Sequence, residues 1–161
     1  MKNYHIKKAI YNDVSSIFKF YNDGVKSGFF KNKTSISYKH HEKWYKFAIK
    51  SPFIFIHICK KNNIPIGYIK YNFIKKQHAV ISIIINKKYR KKGVASTLMK
   101  RSIKIIYRKY KIKKFYAEVL KKNLLSKKFF IKNNFIKVGM SNTDSSFKKS
   151  NELFMLSKTS L

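Results

Sequence analysis

Arg90, Gly93 and Ala95 stand where an apolar run gives way to a helical one. Ala79 to Ile85 is rich in β-branched residues and reads as a strand, and 3.6-residue periodicity starts near Val94. A strand, a basic loop and a helix start make an anion site. The first turn has N–H groups without intrahelical partners, and the helix dipole adds positive potential there. Gly93 lets backbone approach a ligand with no Cβ in the way. Ala95 and Ser96 keep the turn after Val94 open, and Arg90, Lys91 and Lys92 add formal charge. Such a turn suits a pyrophosphate and implies a nucleotide-bearing cofactor. It lacks the Gly-Lys-Ser/Thr of a P-loop and the three glycines of a dinucleotide fingerprint.

Around this loop the remaining elements are legible. Tyr4 to Ile10 predicts a first strand. Asn12 or Asp13 caps a helix with Val14, Ile17, Phe18 and Tyr21 on its apolar face, ended by Asn22-Asp23-Gly24. Residues 25–36 read as a loop. Ser37 caps a second helix to about Lys50, before Pro52. Phe53 to Lys60 and Ile66 to Phe73 form a hairpin, and His78 to Ile85 the next strand. The helix from Val94 to about Tyr110 should bury Ala95, Leu98, Ser102 and Ile105. Lys114 to Leu120, a helix Leu124 to Lys132 capped by Asn123, then Phe135 to Met140 and Leu153 to Leu156 complete the pattern.

The spacing Arg90-x-x-Gly93-x-Ala95 resembles the acetyl-coenzyme A signature of the GNAT superfamily of N-acetyltransferases, and the order β-α-α-β-β-β-α-β-α-β-β is similar to theirs along almost the whole chain. The resemblance implies one α/β GNAT domain over residues 1–161, with a mixed sheet of six to seven strands and about four helices. It implies acetyl-CoA as co-substrate. By position, backbone N–H groups of Ile83, Ile84 and Ile85 would meet the thioester carbonyl and pantetheine, and Val94 would join the pyrophosphate turn. The stretch Asn123, Ser126, Phe130 is similar to a motif that faces the pantetheine arm and thiol. Phe130 stands where the family usually has a tyrosine acid, so Ser126, Tyr116 or water would protonate the thiolate, or it leaves as an anion. No carboxylate lies on the fourth strand. His78 at its start is a candidate base acting through water, a water chain is another, and Glu118 reads as neutralising lysine at a sheet edge.

Composition bounds the partners. The 161 residues carry a net charge of +32, almost all of it lysine spread along the chain. Lys, Asn, Ile, Phe and Tyr together mark A/T-rich codons, so a nucleic-acid-binding module is a distant alternative, lacking any recognition-helix motif. Cys59 is the only cysteine, which leaves no intrachain disulfide and no cysteine-based zinc site; no metal is expected. No apolar run is long enough for a membrane span and no leader is expected, so a cytoplasmic enzyme is the simplest expectation.

The acceptor is addressed by the N-terminal half. Asn22-Asp23, then Ile36-Ser37 followed by His41, Trp44 and Tyr45, resembles a GNAT subgroup that includes the enzyme acetylating the 4-amine of a UDP-linked amino sugar in pseudaminic-acid biosynthesis. The resemblance implies a nucleotide-sugar amine near Asn22, His41, Trp44 and Tyr45. His41 would bond a hydroxyl or move a proton, Trp44 or Tyr45 would pack on sugar or uracil, and lysines of the 25–33 loop would meet phosphates. A packing role for Trp44 and His41 is the competing reading. Acetylation of a protein N-terminus, as on a ribosomal protein, stays open, as does a homodimer.

Overall fold

The computed structural model describes residues 4–28, 30, 34–75, 77–140 and 151–157. Among them run β1 (His5–Lys8), α1 (Val14–Lys26), α2 (Tyr38–Lys50), β2 (Ile54–Lys61), β3 (Ile64–Lys75), β4 (His78–Ile85), α3 (Val94–Tyr110), β5 (Lys114–Leu120), α4 (Leu124–Lys132), β6 (Ile136–Met140) and β7 (Asn151–Ser157). The strands form one sheet in the order β1-β2-β3-β4-β5-β7-β6. Only β4 and β5 pair in parallel. The expected GNAT architecture of a seven-stranded mixed sheet and four α-helices is therefore present.

Alternation along the strands sorts the sheet into two faces. One face carries Ile69, Tyr71, Ile81, Phe115 and Ala117 against Leu98, Met99, Ile103 and Ile106 of α3, with Phe130 of α4 in the same cluster. The other carries Ile56, Ile58, Tyr68 and Ile84 against Ile17 and Phe20 of α1 and Tyr45 and Ala48 of α2. Ile17 and Ile58 are completely buried, and each such side chain contributes roughly 1.5–3 kcal/mol. Asn62 and Asn63 both take positive φ, 48° and 62°, which gives the β2–β3 hairpin the twist its strands need.

The end of α1 and the buried face of α3 differ from expectation. α1 does not end at Asn22-Asp23-Gly24 but runs on to Lys26. Gly24 is there for proximity, since a Cβ on it would lie 2.7 Å from the Phe30 ring. Asn22 is not a helix stop either: its side-chain amide donates to the Ile36 carbonyl at 3.1 Å and its Oδ1 accepts from the Ile36 N–H at 3.2 Å. α3 turns Ile105 outward, 41% exposed, and buries Met99, Ile103 and Ile106 instead. The loop expected between β6 and β7 lies outside the described residues. The cap predicted for α2 is present, with Ser37 Oγ accepting the His40 N–H at 3.2 Å.

Two imidazoles are sealed into the cores. His57 of β2 shares a hydrogen bond with Ser102 Oγ of α3 at 2.6 Å, and Tyr71 of β3 shares another with the same oxygen at 2.7 Å. His41 is ringed by Phe18, Tyr21, Trp44 and Tyr45, and its Nε2 has no partner. Burial lowers both rings from 6.5 to about 4. Between those values the unfolded chain binds protons that the fold refuses, so acid favours unfolding. Each group's contribution is complete above about pH 6.5 and is lost as the pH falls toward 4, at about 1.4 kcal/mol per pH unit. Thermal unfolding followed from neutral pH downward should show a flat Tm that declines steadily below about pH 6.5. A Tm unchanged down to the low end of that range would mean that these rings reach water.

Candidate active site

The parallel ladder between β4 and β5 is short. It pairs His78 with Lys114, Ala79 with Phe115 and Val80 with Tyr116, and stops. Beyond that point β4 stays with β3 as far as Ile85 opposite Gly67, and β5 stays with β7 as far as Leu120 opposite Asn151. The two strands diverge into a wedge, and a cleft of about 750 Å³ opens in it.

The direction of the β4 backbone follows from one bond. The Asn86 N–H donates to the Ile66 carbonyl on the β3 side at 2.9 Å. Backbone groups alternate sides, so Ser82 and Ile84 also engage β3, while Ile81, Ile83 and Ile85 turn theirs toward the wedge. Of the three expected donors, Ile83 and Ile85 face the cleft. Ile84 also lines the cleft and its side chain is core, but its N–H serves the β3 ladder and is not among the donors. The wedge therefore holds a row of N–H groups on a rigid strand, the arrangement that stabilises an oxyanion.

The expected anion loop closes one end. Arg90 points inward, its Nε–H donating to the Ile85 carbonyl at 2.9 Å. Lys91 has φ +58° and Gly93 φ +78°, so the chain turns sharply before α3. Gly93 is the N-cap and offers no side-chain acceptor. The first helical bond runs from the Thr97 N–H to the Gly93 carbonyl, which leaves the N–H groups of Val94, Ala95 and Ser96 ahead of it. Arg90, Lys91, Gly93, Val94, Ala95 and Ser96 line the cleft. Lys92 is exposed and its Nζ lies 5.9 Å from the Tyr89 ring centroid. These groups fit a pyrophosphate.

α4 supplies the facing wall. Asn123 caps it through the Ser126 N–H at 3.0 Å, and Asn123, Ser126 and Phe130 all line the cleft. Phe130 is 5% exposed, with Phe129 and Phe135 at 5.1 and 5.0 Å. Its ring is thus both cleft wall and core, and it has no proton to donate.

The α1–α2 side of the cleft shows residues that sequence reasoning set aside. Asn72 of β3, Ser82 of β4 and Glu118 of β5 share the sheet face toward those helices, joined by Tyr21 of α1 and Asn151 of β7. Glu118 does not sit at a sheet edge as expected, because β5 is an inner strand. It is the single carboxylate in the cleft wall among the described residues. Asn151 donates from Nδ2 to Glu118 Oε2 at 3.3 Å, and its own Oδ1 is buried without a partner. Asp13 is paired with Lys60, and Glu152 with Lys127 and Lys137.

Other expected site residues lie elsewhere. His78 is at the closed end of the wedge, edge-on to Tyr116 at 5.7 Å and outside the cleft wall. His41 is 1% exposed, one layer behind Tyr21, and neutral at pH 7 because burial holds its pKa near 4. Tyr45 is fully buried and donates its hydroxyl to the Ile10 carbonyl at 2.9 Å. Neither can touch an acceptor. Asn22 is committed to Ile36, and Trp44 is half-buried beside Lys70. Lys31 and Lys33 lie outside the described residues, and Lys26 is exposed. No group of three potential metal ligands occurs among the described residues.

Gly93→Asp separates folding from binding. Nothing lies within 4 Å of the added Cβ, but the φ of +78° strains any side chain there, while the carboxylate would face the phosphates at the helix start. The Tm should fall by a few degrees, as it should for the uncharged control Gly93→Asn, while acetyl-CoA affinity, by calorimetry, should fall at least about 100-fold for the aspartate alone. Unchanged affinity would remove the loop from the cofactor site.

The comparisons with known proteins agree with this geometry. The family model described as acetyltransferase (GNAT) family matches residues 16–135. No curated protein matches the chain significantly. An N-acetyltransferase from Staphylococcus aureus Mu50 superposes with a TM-score of 0.78 at 20% identity, over 97% of this chain and 99% of that one. Spermidine N-acetyltransferase from Vibrio cholerae, in complex with CoA and spermine, gives 0.81 at 16% identity over 98% and 96%. A ribosomal-protein-alanine N-acetyltransferase from Brucella melitensis gives 0.76 at 16% over 94% and 96%. At such identities these likenesses establish the fold, while the family match spans most of the chain. The chain belongs to the GNAT family of acetyltransferases, which move an acetyl group from acetyl-CoA to an amine.

Proposed function

We propose that this protein, acting as a single catalytic domain in the cytoplasm, acetylates a primary amine on an acidic small molecule, the 4-amine of a UDP-linked amino sugar. The observation that carries this reading is the position of Glu118: one carboxylate in the acceptor wall of a chain with net charge +32. A single ammonium has one counter-charge to meet there. A polyamine, or the N-terminal segment of a basic protein, brings several positive charges to a surface that repels them. An acceptor that carries its own phosphates is attracted instead. No helix among the described residues is long and apolar enough to cross a membrane, and the acceptor can be met by a monomer or, as the resemblance allows, a homodimer.

Acetyl-CoA supplies the activated acyl group. The chain's residues do the rest. Arg90, Gly93 and the first turn of α3 hold the pyrophosphate. Ile83 and Ile85 aim backbone N–H groups where negative charge develops on the carbonyl oxygen. Glu118, steadied by Asn151, receives the ammonium and takes its proton, directly or through water. The amine nitrogen then bonds the acyl carbon and the carbon–sulfur bond breaks. Phe130 offers no proton, so the sulfur departs as thiolate or is protonated by Ser126 or solvent; a free thiol's pKa of about 8.5 makes this feasible at neutral pH. His78, at the closed end of the wedge and outside the cleft wall, is not needed.

Glu118→Gln keeps the Asn151 contact sterically possible and removes the base. With a UDP-4-amino sugar as acceptor, kcat should drop by roughly 10²–10⁴-fold while acetyl-CoA affinity stays unchanged. Retention of full kcat would assign proton removal to water alone.

A further inference from the structure

Lys70 is placed where a structural lysine has no reason to be. It lies on β3, two residues before Asn72 and directly across the ladder from Ser82, so its side chain joins the acceptor face of the sheet. Its Nζ stands 5.2 Å from the centroid of the Trp44 ring. No carboxylate accompanies it among the described residues, and burial alone pulls its ammonium below the ordinary lysine range. A desolvated cation without a counter-ion is costly to the fold. The indole face offsets part of that cost; a bound anion would offset more. The other lysines of the chain stand mostly at the surface in water, which makes this one distinct.

The face around Lys70 is a polar track. Lys70 and Asn72 on β3, Ser82 on β4 and Glu118 on β5 all project to the same side. Lys70 and Glu118 lie past the last β4–β5 pair, so they are separated by more than two strand spacings, which is to say more than about 10 Å. One end is positive and the other negative. An acceptor with a phosphate at one end and an amine at the far side of a sugar ring has the matching polarity. Trp44 adds a flat apolar surface beside the positive end, suited to a nucleobase.

We infer that Lys70 and Trp44 form an anion-and-base subsite for the nucleoside diphosphate of the acceptor, which fixes the far end of the molecule whose amine meets Glu118. This rests on the nucleotide-sugar reading above. It assigns Trp44 to the acceptor through its Lys70-facing neighbourhood rather than through the cleft wall, and makes Lys70 a specificity-determining residue.

Trp44 is the only tryptophan in the chain and so reports on its own site. UDP is titrated into protein saturated with coenzyme A, which occupies the pyrophosphate loop. Affinity is read by calorimetry and location by tryptophan emission. The wild type should bind UDP with a saturable change in emission. Lys70→Met, which keeps the apolar stem, should weaken UDP at least tenfold with unchanged coenzyme A affinity and a Tm no lower than the wild type's, and Lys70→Arg should restore UDP binding. Uridine, without phosphates, should bind both forms alike. If Lys70→Met unfolds, Lys70→Gln takes its place in the same comparisons. UDP binding that is indifferent to Lys70 would overturn the subsite and leave the nucleotide-sugar reading standing. Absence of UDP binding to the wild type would overturn that reading and the subsite with it.

Discussion

The cleft exists because two adjacent strands stop pairing. β4 and β5 hold three ladder pairs and then part at Val80 and Tyr116. Each departing strand keeps a partner on its outer side, β3 for one and β7 for the other, so neither half of the sheet unravels. What the separation leaves is a line of backbone donors that face no strand. Buried donors without partners are costly; here they face a cleft, where a ligand or water can serve them. The loop after β4 then has to turn back over the open end. Lys91 and Gly93 provide the two left-handed residues that make the turn, and Arg90 ties it to the last carbonyl of the strand. The donors proposed for the oxyanion and the turn proposed for the phosphates are thus one continuous piece of chain, Ile81 to Ser96.

Charge explains the rest of the site. Thirty-eight basic residues against six acidic ones leave little freedom in where a carboxylate goes. Asp13 joins Lys60 to the start of α1, and its Oδ2 also takes the Ile10 N–H; Glu42 pairs with Lys46 and Tyr11; Glu152 bridges Lys127 and Lys137. Those three do structural work at the periphery of the sheet or helices. Glu118 instead lies on an inner strand at the mouth of the wedge, held by Asn151. Its partner Asn151 lies on β7, at the opposite end of the chain from the helices that complete the acceptor wall. The acid function usual on α4 is missing because Phe130 has been absorbed into the aromatic cluster with Phe129, Phe135 and Phe154.

Much of this was readable from local pattern. The anion loop, the caps Ser37 and Asn123, and the element order all follow from residue types over short windows, where propensity and turn chemistry act. What was not readable depends on distance in the chain. Glu118 looked like an edge residue because nothing near it in sequence says that β7 will return outside β5. Gly24 looked like a helix stop because Phe30 cannot be seen pressing on it. His41, Trp44 and Tyr45 share a helical face, but periodicity does not say which of them reaches solvent; packing against Phe18 and Tyr21 buries the first, and the Ile10 carbonyl claims the last. Lys70 was one lysine among many until the register set it opposite Ser82 and beneath Trp44.

The Ser102 oxygen that serves both His57 and Tyr71 has a consequence beyond core stability. An α-helix lying on an apolar sheet can roll or slide with little change in contact, because Leu, Ile and Met side chains are interchangeable neighbours. A single polar point in that interface is satisfied in only one setting, so it indexes the helix against β2 and β3. Ser102 lies eight residues beyond Val94, about 12 Å along the axis. The aim of the phosphate-binding end of α3 is therefore governed from behind, by a contact no ligand reaches. Loss of that contact would leave the helix free to shift on the apolar sheet, and its N-terminal end would no longer keep one fixed aim.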